Sequence, residues 1–408
     1  MEPLSYLFSL EQFGIKFGLD SIRALLARIG NPQQTFRSIH IAGTNGKGSV
    51  TAMIDSVLRS AGHRSARYTS PHLVHLSERF VTDGQPVSAD ELRDSAAVVQ
   101  AAIESLIGEG VLSGKPTFFE ATTAMAFDLF RNARVEFAVI EVGLGGRLDS
   151  TNVIEPVVTA ITSIDFDHQK YLGDTLAEIA GEKAGIIKPH VPVVVGNLHP
   201  EAYNVIARIA RDRGADLIHS DNISKDFGEI RLGLRGDHQR ANAAVAIGVL
   251  EALERLGVAI GKQAILDGLA TVTWPGRLDH RRLPDGSEII LDAAHNPAGA
   301  RALASYLRGL DRKRPTLVFG AMRDKDVDGM LTALLPEIGR VIVTRPSNAR
   351  AANPEELAAR IGALAPALPI DVVVSPHDAV KSATKDSSLV VIAGSIFLLG
   401  DVIQEIGA

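Results

Sequence analysis

The chain has 408 residues, of which 46% are hydrophobic, and its formal net charge is −6 at pH 7. A single hydrophobic core rarely grows to this size, so we expect two domains. The acidic balance excludes a general nucleic-acid or anionic-membrane partner, because such proteins carry a basic excess or a basic run. The absence of cysteine excludes a disulfide framework and a thiolate nucleophile, so any metal ion must use oxygen and nitrogen ligands.

Two features of the sequence bear on the cellular location of the protein. The N-terminal sequence MEPLSYLFSL lacks the basic region of a signal peptide. The longest apolar run, near Leu389–Leu399, is too short to span a bilayer. We therefore expect a soluble, cytoplasmic protein.

The first prominent motif is GTNGKGS, which follows a predicted helical lead-in over residues 1–37 and a short apolar strand. Its glycines allow the backbone to turn sharply and to aim successive N–H groups at one anion. The N-terminus of the next helix, predicted over 49–61, favours negative charge as well. The motif therefore predicts a phosphate-binding loop, with a purely structural glycine turn as the alternative.

Lys47 and Ser49 are the candidate side chains of this loop. Lys47 supplies a positive charge for the outer phosphates of a nucleotide. The usual pattern places Ser or Thr directly after the lysine, but Gly48 stands there, and Ile41 occupies the first glycine position. Ser49 is therefore the hydroxyl that we expect to reach a magnesium ion.

The rest of the first half alternates between strands and helices. Helices are predicted over 89–106, 117–132, 175–187 and 237–255. A short strand is predicted to end at Tyr68, and further strands are predicted over 137–143, 157–164 and 193–195. Polar loops follow three of these strands, with the sequences TSPHL, GLGGRLDSTN and DFDH. Sites of α/β proteins gather at such strand ends.

Two turns, Pro275-Gly276 and Pro284-Asp285-Gly286, flank a short strand-like connector and form the candidate hinge. We expect one domain over residues 1–280 and a smaller one over 285–408. The second domain alternates strands at 288–292, 316–320, 340–344, 370–374 and 388–393 with helices that begin near Pro297, Val327, Pro354, Asp378 and Ser395. The pattern predicts an α/β fold with two parallel sheets.

Glu141 and His168 each lie near the end of a predicted strand. A buried carboxylate without a partner is costly, so the strand end must give Glu141 a cation or hydrogen-bond donors. For either residue alone, a strand-capping carboxylate or a satisfied histidine is the simpler interpretation. Together with Ser49 they favour a metal site, because a hard cation beside a triphosphate takes oxygen ligands from several loops.

Three further charged residues have two interpretations each. Lys183 lies in a predicted helix, where a solvated charge or a salt bridge with Glu182 or Asp174 is the default. Arg277 either clamps the connector or binds a phosphate bidentately. Asp292 follows a strand, where a carboxylate commonly binds a ribose hydroxyl, although a turn capped by Asn296 also fits the sequence LDAAHNPAG.

The order of motifs resembles the folylpolyglutamate synthase and dihydrofolate synthase family of the Mur ligase superfamily over nearly the whole chain. The matching segments are GTNGKGS, TSPHL with SERF, FFEATT, EVGLGGRLDSTN, DHQKYLGDT, EKAGIIK, HQRANAA, WPGRLD, DAAHNP and AGSIFLLGDV. Two of them depart from the usual family spellings, DGAHN and GRLDATN, in ways that spare the polar atoms.

The resemblance implies a P-loop ATPase-type central domain of Mur ligases followed by a smaller Rossmann-like ligase domain. It implies an ATP-dependent ligase that adds L-glutamate to dihydropteroate and to polyglutamylated reduced folates through an acyl phosphate. The alternative is folylpolyglutamate synthase activity alone. The segments FFEATT and GIKFGLD resemble the bacterial bifunctional members and favour both activities. We expect a monomer without nucleic-acid or membrane partners.

The resemblance also implies site residues. The ATP contacts are Gly43, Thr44, Asn45, Gly46, Lys47, Gly48, Ser49, Asn242, Arg277 and Asp292, so that ATP would bridge the two domains. The ligands of two magnesium ions are Ser49, Ser70, Glu141, His168 and Lys183, the last of which carries a carbamate in this family. The catalytic residues are Lys47, His168 and Lys183. The pterin contacts are Lys16, Phe17, Gly18, Leu19, Thr117, Phe118, Phe119, Glu120, Leu148, Asp149 and Ser150.

The two rival functions are a peptidoglycan-type Mur ligase and a nucleotide-dependent switch. Peptidoglycan-type Mur ligases begin with an additional domain, and only 42 residues precede Gly43 here. A nucleotide-dependent switch would not need a second α/β domain with polar strand ends of its own. ATP turnover that is independent of folate and glutamate would support the switch.

Overall fold

A computed structural model describes residues 2–14, 16–222 and 230–406. The chain divides into two units, one of Met1–Gly233 with Ala241–Val272 and the other of Leu234–Arg240 with Thr273–Ala408. Each unit is built on its own sheet. None of the described helices is long and apolar enough to cross a membrane.

The sheet of the first unit has eight strands in the order β4-β3-β2-β5-β1-β6-β7-β8. Their bounds are β1 Arg37–Ala42, β2 Ser65–Tyr68, β3 Phe80–Thr82, β4 Gln85–Pro86, β5 Phe137–Glu141, β6 Pro156–Ile161, β7 Val193–Val195 and β8 Leu217–His219. The pairs β2–β3 and β3–β4 are antiparallel and the other pairs are parallel. All five residues of β5 are buried, as expected for a parallel strand covered on both faces.

The helices of the first unit are α1 Pro3–Ser9, α2 Asp20–Arg28, α3 Lys47–Ser60, α4 Ala89–Gly108, α5 Phe118–Asn132, α6 Gln169–Leu172, α7 Leu176–Ala184, α8 Pro200–Asp212 and α10 Lys262–Thr271, together with most of α9 Asp237–Arg255, whose first four residues belong to the second unit. The starts of α4, α5 and α7 are fixed by capping boxes, in which a Ser or Thr side chain and a Glu three residues later satisfy each other's backbone N–H. One apolar cluster joins α1, α2, α4 and α5, and a second joins α7 and α8.

Several sequence-based expectations for this unit were wrong in detail. The lead-in is not one helical stretch, because α1 ends at Ser9 and α2 begins at Asp20. Gly14 and Gly18 lie between these helices with φ of 60° and 128°, which a helix does not allow. Helix α3 begins at Lys47, and β6 ends at Ile161, so residues 162–168 form a loop. Strands β3, β4 and β8 were not predicted.

The sheet of the second unit has six strands in the order β13-β12-β11-β14-β10-β9. Their bounds are β9 Asp279–Arg282, β10 Glu288–Leu291, β11 Thr316–Phe319, β12 Arg340–Val343, β13 Ile370–Val372 and β14 Leu389–Ala393. The helices are α11 Pro297–Arg308, α12 Val327–Leu334, α13 Pro354–Leu364, α14 Pro376–Asp386 and α15 Ile396–Ile406. Strand β9, the predicted connector, is antiparallel to β10, and the other pairs are parallel. The predicted α/β fold class is confirmed.

Candidate active site

Many of the predicted phosphate, metal and substrate contacts of the first unit lie at or after the ends of four adjacent strands, β2, β5, β1 and β6. The register pairs Ile41 of β1 with Glu141 of β5, and Ala42 with Ile161 of β6. Because these strands are parallel, the loops after them start from the same edge of the sheet. The fold therefore brings the segments 43–46, 69–72, 142–149 and 162–168 together.

The glycine loop needs glycine at two positions. Gly43 has φ of 150°, and a Cβ at this residue would collide with the hydroxyl of Thr162. Gly46 has φ of 86°, and a Cβ there would collide with the side-chain oxygen of Asn242. The same close approach places Asn242, a predicted nucleotide contact, directly against the loop.

The loop is clamped to the segment that follows β6. The Thr44 amide donates to the Ser163 carbonyl at 2.8 Å, and the Asn45 amide donates to the Ser163 hydroxyl at 2.9 Å. Thr162 returns a bond from its hydroxyl to the Asn45 carbonyl at 2.6 Å. Two amides of the motif are thus used to hold the loop in place, and the loop leads directly into the first turn of α3, a position that favours an anion.

Lys47 and Lys183 converge on one backbone acceptor. The Nζ atom of Lys47 donates to the carbonyl oxygens of Gly43 at 3.0 Å and Thr44 at 3.3 Å. Lys183, only 4% exposed, donates from Nζ to the same Gly43 oxygen at 3.0 Å. The predicted salt bridge of Lys183 with Glu182 is not formed, because Glu182 pairs with Arg147 at 2.8 Å. Burial, and then the charge of Lys47, lowers the pKa of Lys183 to about 7.

The predicted metal ligands supply hard donors. The Glu141 carboxylate is 5% exposed and accepts a hydrogen bond from the Ser70 amide at 3.2 Å. Ser49 is buried in the first turn of α3. His168 precedes α6 in the left-handed conformation, and its Nε2 lies 3.9 Å from Oδ1 of Asp167.

This donor set fits magnesium. Over residues 2–14, 16–222 and 230–406, no group of three or more His, Cys, Asp or Glu side chains is close enough together to hold a metal ion. An ion held by one carboxylate, hydroxyl groups and an imidazole must therefore keep water ligands, as magnesium usually does beside phosphates. A closed structural zinc site would need four protein ligands.

The predicted substrate loop after β5 is organised by Asp149. Its buried carboxylate accepts hydrogen bonds from the Leu144 amide at 2.8 Å and the Thr151 amide at 3.0 Å, and also from the Thr151 hydroxyl. Burial raises the pKa of Asp149, while these donors oppose the shift. Leu148 is half-buried and Ser150 is buried on either side of it. The structure thus gives Asp149 a loop-forming role beside its predicted substrate contact.

The segment from Thr117 to Glu120 begins α5. Thr117 and Glu120 form its capping box, in which Glu120 Oε2 accepts from the Thr117 amide at 2.7 Å and the Thr117 hydroxyl at 2.9 Å. The Phe119 ring packs against Gly143 and stacks on Tyr68, with the latter ring centroids 6.1 Å apart. This packing joins α5 to the loop after β5.

The predicted contacts at residues 16–19 lie on the surface of the first unit. Lys16 is exposed and its Nζ lies 3.3 Å from the Ser21 hydroxyl. Phe17 is 51% exposed, and its ring centroid lies 6.2 Å from that of Tyr171, itself 41% exposed. Gly18 has φ of 128° and Leu19 packs partly into the core. Sequence reasoning missed Tyr171, although the motif DHQKYL contains it.

The second unit holds a separate polar cluster. The Asp292 carboxylate is 6% exposed and accepts from the amides of Leu278 at 2.9 Å and Ala294 at 3.0 Å. His238 and Arg277 lie close enough to stabilise its charge, whereas burial raises its pKa. Asn296 caps α11 through the Gly299 amide, as the turn interpretation expected. His238 was missed, although it belongs to the motif HQRANAA.

Comparison with known proteins fits this arrangement. Two family models match, the Mur ligase middle domain over residues 41–226 and the Mur ligase, glutamate ligase domain over residues 276–396. The dihydrofolate synthase/folylpolyglutamate synthase of Bacillus subtilis is 38% identical over 353 residues, which are 81% of this chain and 81% of that protein.

Two solved structures superpose on nearly the whole chain. Folylpolyglutamate synthase of Mycobacterium tuberculosis, complexed with ADP and AMPPCP, has a TM-score of 0.92 and 35% identity over 100% of this chain and 98% of that one. Escherichia coli FolC, in complex with DHPP and ADP, has a TM-score of 0.88 and 30% identity over 100% and 98%.

The two matched domains and the nucleotide loop define an ATP-dependent ligase with a two-domain α/β fold. The chain belongs to the dihydrofolate synthase/folylpolyglutamate synthase family of the Mur ligases. ATP and a divalent metal ion are cofactors in keeping with this family. The predicted family, enzyme class and cofactors are confirmed.

Proposed function

We propose that the protein joins the amine of L-glutamate to the carboxylate of dihydropteroate, and later to the terminal carboxylate of reduced folates, at the expense of ATP. The observation that carries this proposal is the meeting of the Nζ atoms of Lys47 and Lys183 at the Gly43 carbonyl of the glycine loop. The positive charge of Lys47 beside the first turn of α3 is suited to a polyphosphate.

The residues of this chain mainly position the substrates and neutralise the charge of the phosphates. The first-turn amides of α3 bind phosphate oxygens, and Lys47 offsets the charge that builds up as the acceptor carboxylate attacks the γ-phosphate. ADP leaves and an acyl phosphate remains. The glutamate amine then attacks the acyl carbon, and inorganic phosphate leaves with the bond pair while the amine loses a proton.

Ser49, Ser70, Glu141 and His168 are the proposed holders of magnesium. When bound, magnesium screens the negative charge on the phosphate oxygens and so favours the approach of an anionic carboxylate. The buried Glu141 carboxylate, oriented by the Ser70 amide, is the charged member of this set. The clamp between Thr44 and Ser163 holds the glycine loop beside it.

We propose that Lys183 carries a carbamate in the active enzyme. Burial and the neighbouring Lys47 favour the neutral amine of Lys183, which is the form that adds to carbon dioxide. The addition of the neutral amine to carbon dioxide forms an N–C bond and releases one proton, and it turns an uncharged group into an anion that attracts Lys47. The product is a carboxylate-like ligand suited to a second magnesium ion.

The aromatic surface of the first unit supports the pterin assignment. Phe17 and Tyr171 expose large ring areas next to each other, and the half-buried Phe119 lies beside Gly143. Flat aromatic rings stack favourably on such side chains. We keep residues 16–19, 117–120 and 148–150 as the proposed pterin contacts, and Asn242, Arg277 and Asp292 as proposed nucleotide contacts. We also propose a monomer.

The test is ADP release and product formation with dihydropteroate and then with tetrahydrofolate, each with and without L-glutamate. Ligation requires that ADP release depends on both the acceptor and glutamate. Extension of tetrahydrofolate without any consumption of dihydropteroate would leave folylpolyglutamate synthase activity alone. ADP release that ignores both acceptors would contradict the ligase.

A further inference from the structure

The loop from Ser70 to Arg79 is held by three charged side chains. Glu141 accepts from the Ser70 amide at 3.2 Å. The carboxylate of Glu78 accepts from the amides of Leu73, Val74 and His75 at 2.7, 2.9 and 2.6 Å. These charge-assisted bonds fix the backbone on both sides of His72. The imidazole of His72 is therefore carried by a preorganised loop, two residues from a proposed metal ligand.

Arg79 fixes the imidazole itself. This guanidinium is 8% exposed and donates from Nε to Nδ1 of His72 at 2.9 Å. It lies over the ring of Phe118, 5.2 Å from the centroid, and Phe118 in turn stacks on Phe8 at 5.9 Å. Glu11 and Glu141 stabilise the charge of Arg79 electrostatically. Arg79 is not among the proposed phosphate, metal, pterin or nucleotide contacts.

The bond from Arg79 determines the tautomer of His72. An arginine side chain has N–H donors and no acceptor, and it does not lose its proton in proteins. Nδ1 of His72 must therefore accept, which leaves the proton of the neutral ring on Nε2. Within the described part of the chain Nε2 makes no hydrogen bond to a protein acceptor, and the ring is half-buried.

We propose that Arg79 is a positioning residue that keeps His72 in the Nε2–H tautomer, and that this N–H donates to the carboxylate of the acceptor substrate. The inference rests on the proposed function, because an acyl acceptor is needed to receive the bond. Arg79, Glu78 and His75 are the charged and titratable groups that act on the His72 ring, and Glu141 acts on Arg79.

The donor suits the chemistry of an acyl group. While one carboxylate oxygen attacks phosphorus, the other becomes a carbonyl oxygen, and it gains negative charge again when the amine adds to the acyl carbon. A neutral N–H that is already oriented holds the carboxylate in place for the first stage and stabilises the charge that this oxygen gains in the second, without a proton transfer. Ser70 and Glu141 continue to serve the metal, so the two tasks fall on different side chains of one loop.

The tautomer is measured directly by nitrogen NMR of the full-length protein labelled on its histidine rings, with the His72→Gln variant used to assign the signals. We expect the wild-type His72 signals to show a protonated Nε2 and an unprotonated Nδ1. In Arg79→Met, the Nδ1–H form should become populated. A wild-type spectrum with the proton on Nδ1 would overturn the proposal, whatever the variants do.

Kinetics with dihydropteroate as acceptor test the donor. His72→Leu should lower kcat/KM for the acceptor about tenfold to hundredfold while KM for ATP stays within about twofold, because only an acceptor bond is lost. His72→Gln, which retains an N–H donor, should recover part of the loss. Wild-type kinetics in His72→Leu would contradict a role for the imidazole.

A double-mutant cycle separates positioning from direct binding. Arg79→Met should cost about tenfold in the wild-type background and almost nothing in the His72→Leu background, because Arg79 acts through His72. An equal loss in both backgrounds would show that Arg79 acts independently. Arg93→Met, at a half-exposed arginine of α4 paired with Asp90, is the matched control and should retain full activity.

Folding and function are controlled separately. If Arg79→Met fails to fold, the wild-type spectrum and the two His72 variants still decide the proposal. If the wild-type protein does not ligate glutamate at all, the proposed function fails, whereas the tautomer measurement stands by itself.

Discussion

Lys47 and Lys183 donate to the same atom, the carbonyl oxygen of Gly43, each at 3.0 Å. Two ammonium groups on one acceptor would repel each other, and burial together with the charge of Lys47 lowers the pKa of Lys183 to about 7. This arrangement lies at the carboxyl end of β1, where the glycine loop leads into α3. The pair is therefore best understood as prepared for anions, either phosphate or a carbamate on Lys183.

Lys47→Ala should abolish most ligation without unfolding the protein. The ammonium lies at a partly exposed loop, so its removal leaves no buried unpaired charge. Loss of one such electrostatic donor typically costs about 3 kcal/mol of transition-state stabilisation, or about a hundredfold in kcat. Steady-state kinetics and thermal unfolding check both parts, with the exposed Lys381→Ala as the control. A variant with near-normal turnover would remove Lys47 from the phosphate site.

Lys183→Ala should be inactive, and a small added carboxylate such as acetate should restore part of the activity. The reason is that the proposed defect is a missing anion and not a missing ammonium. Lys188→Ala, at a half-buried lysine that donates to the Asn152 carbonyl at 3.1 Å, is the control that acetate should not affect. Carbon-13 NMR with labelled carbon dioxide should show a carbamate in the wild type and none in Lys183→Ala. A wild-type protein without that signal would refute the modification.

Glu120→Ala should weaken addition to dihydropteroate more than addition to tetrahydrofolate, as the predicted pterin contact requires. The structure adds a second effect, because Glu120 also closes the capping box of α5, and loss of a cap costs about 0.5–2 kcal/mol of stability. Glu120→Gln keeps the box and removes the charge, so it should unfold like the wild type. Thr117→Ala removes the cap and keeps the Glu120 carboxylate. If Thr117→Ala lowers the two activities in the same proportions as Glu120→Ala, the selective role of Glu120 is wrong.

His40 should make folding stability sensitive to mild acid. It is fully buried, its Nε2 lies 2.8 Å from the Thr151 hydroxyl, and burial lowers its pKa from 6.5 to about 3. Above pH 6.5 the ring is neutral whether the chain is folded or not, so no stability is lost there. Between these pKa values the unfolded chain binds a proton that the folded protein does not, which removes up to about 1.4 kcal/mol of stability per pH unit.

The measurement for His40 is the free energy of unfolding by urea between pH 7 and pH 4. His40→Gln, which can still bond to Thr151, should show a smaller loss of stability over this range than the wild type. All other titrating groups are shared by the two proteins and cancel in the difference. Parallel curves for the two proteins would show that His40 is not held neutral by the fold.

The sequence predicted the parallel strands and their polar ends well, because a strand that is buried on both faces is a continuous apolar run, as in β5 and β14. The prediction failed for elements that are too short to show a periodic pattern. The two-residue β4 and three-residue β8 carry almost no pattern, and the break between α1 and α2 depends on Gly14 and Gly18.

The site shows a similar limit. The residue types of Lys47, Glu141 and Lys183 follow from motifs, but their hydrogen-bond partners come from distant segments of the chain. Gly43 lies 140 positions from Lys183 in the sequence, and the bond to its oxygen stands in place of the solvated charge or salt bridge that was the default expectation for that lysine. The motifs TSPHL and SERF contain His72 and Arg79, but nothing in the sequence predicts that these two side chains form a hydrogen bond.

The most direct test of the central claim follows the oxygen atoms of the acceptor. Dihydropteroate labelled with oxygen-18 in its carboxylate is incubated with ATP, L-glutamate and magnesium, and the products are analysed by mass spectrometry. We predict dihydrofolate that retains one label and inorganic phosphate that carries the other, because the carboxylate oxygen joined to phosphorus leaves with it. Unlabelled phosphate formed together with ADP and without dihydrofolate would contradict glutamate ligation through an acyl phosphate.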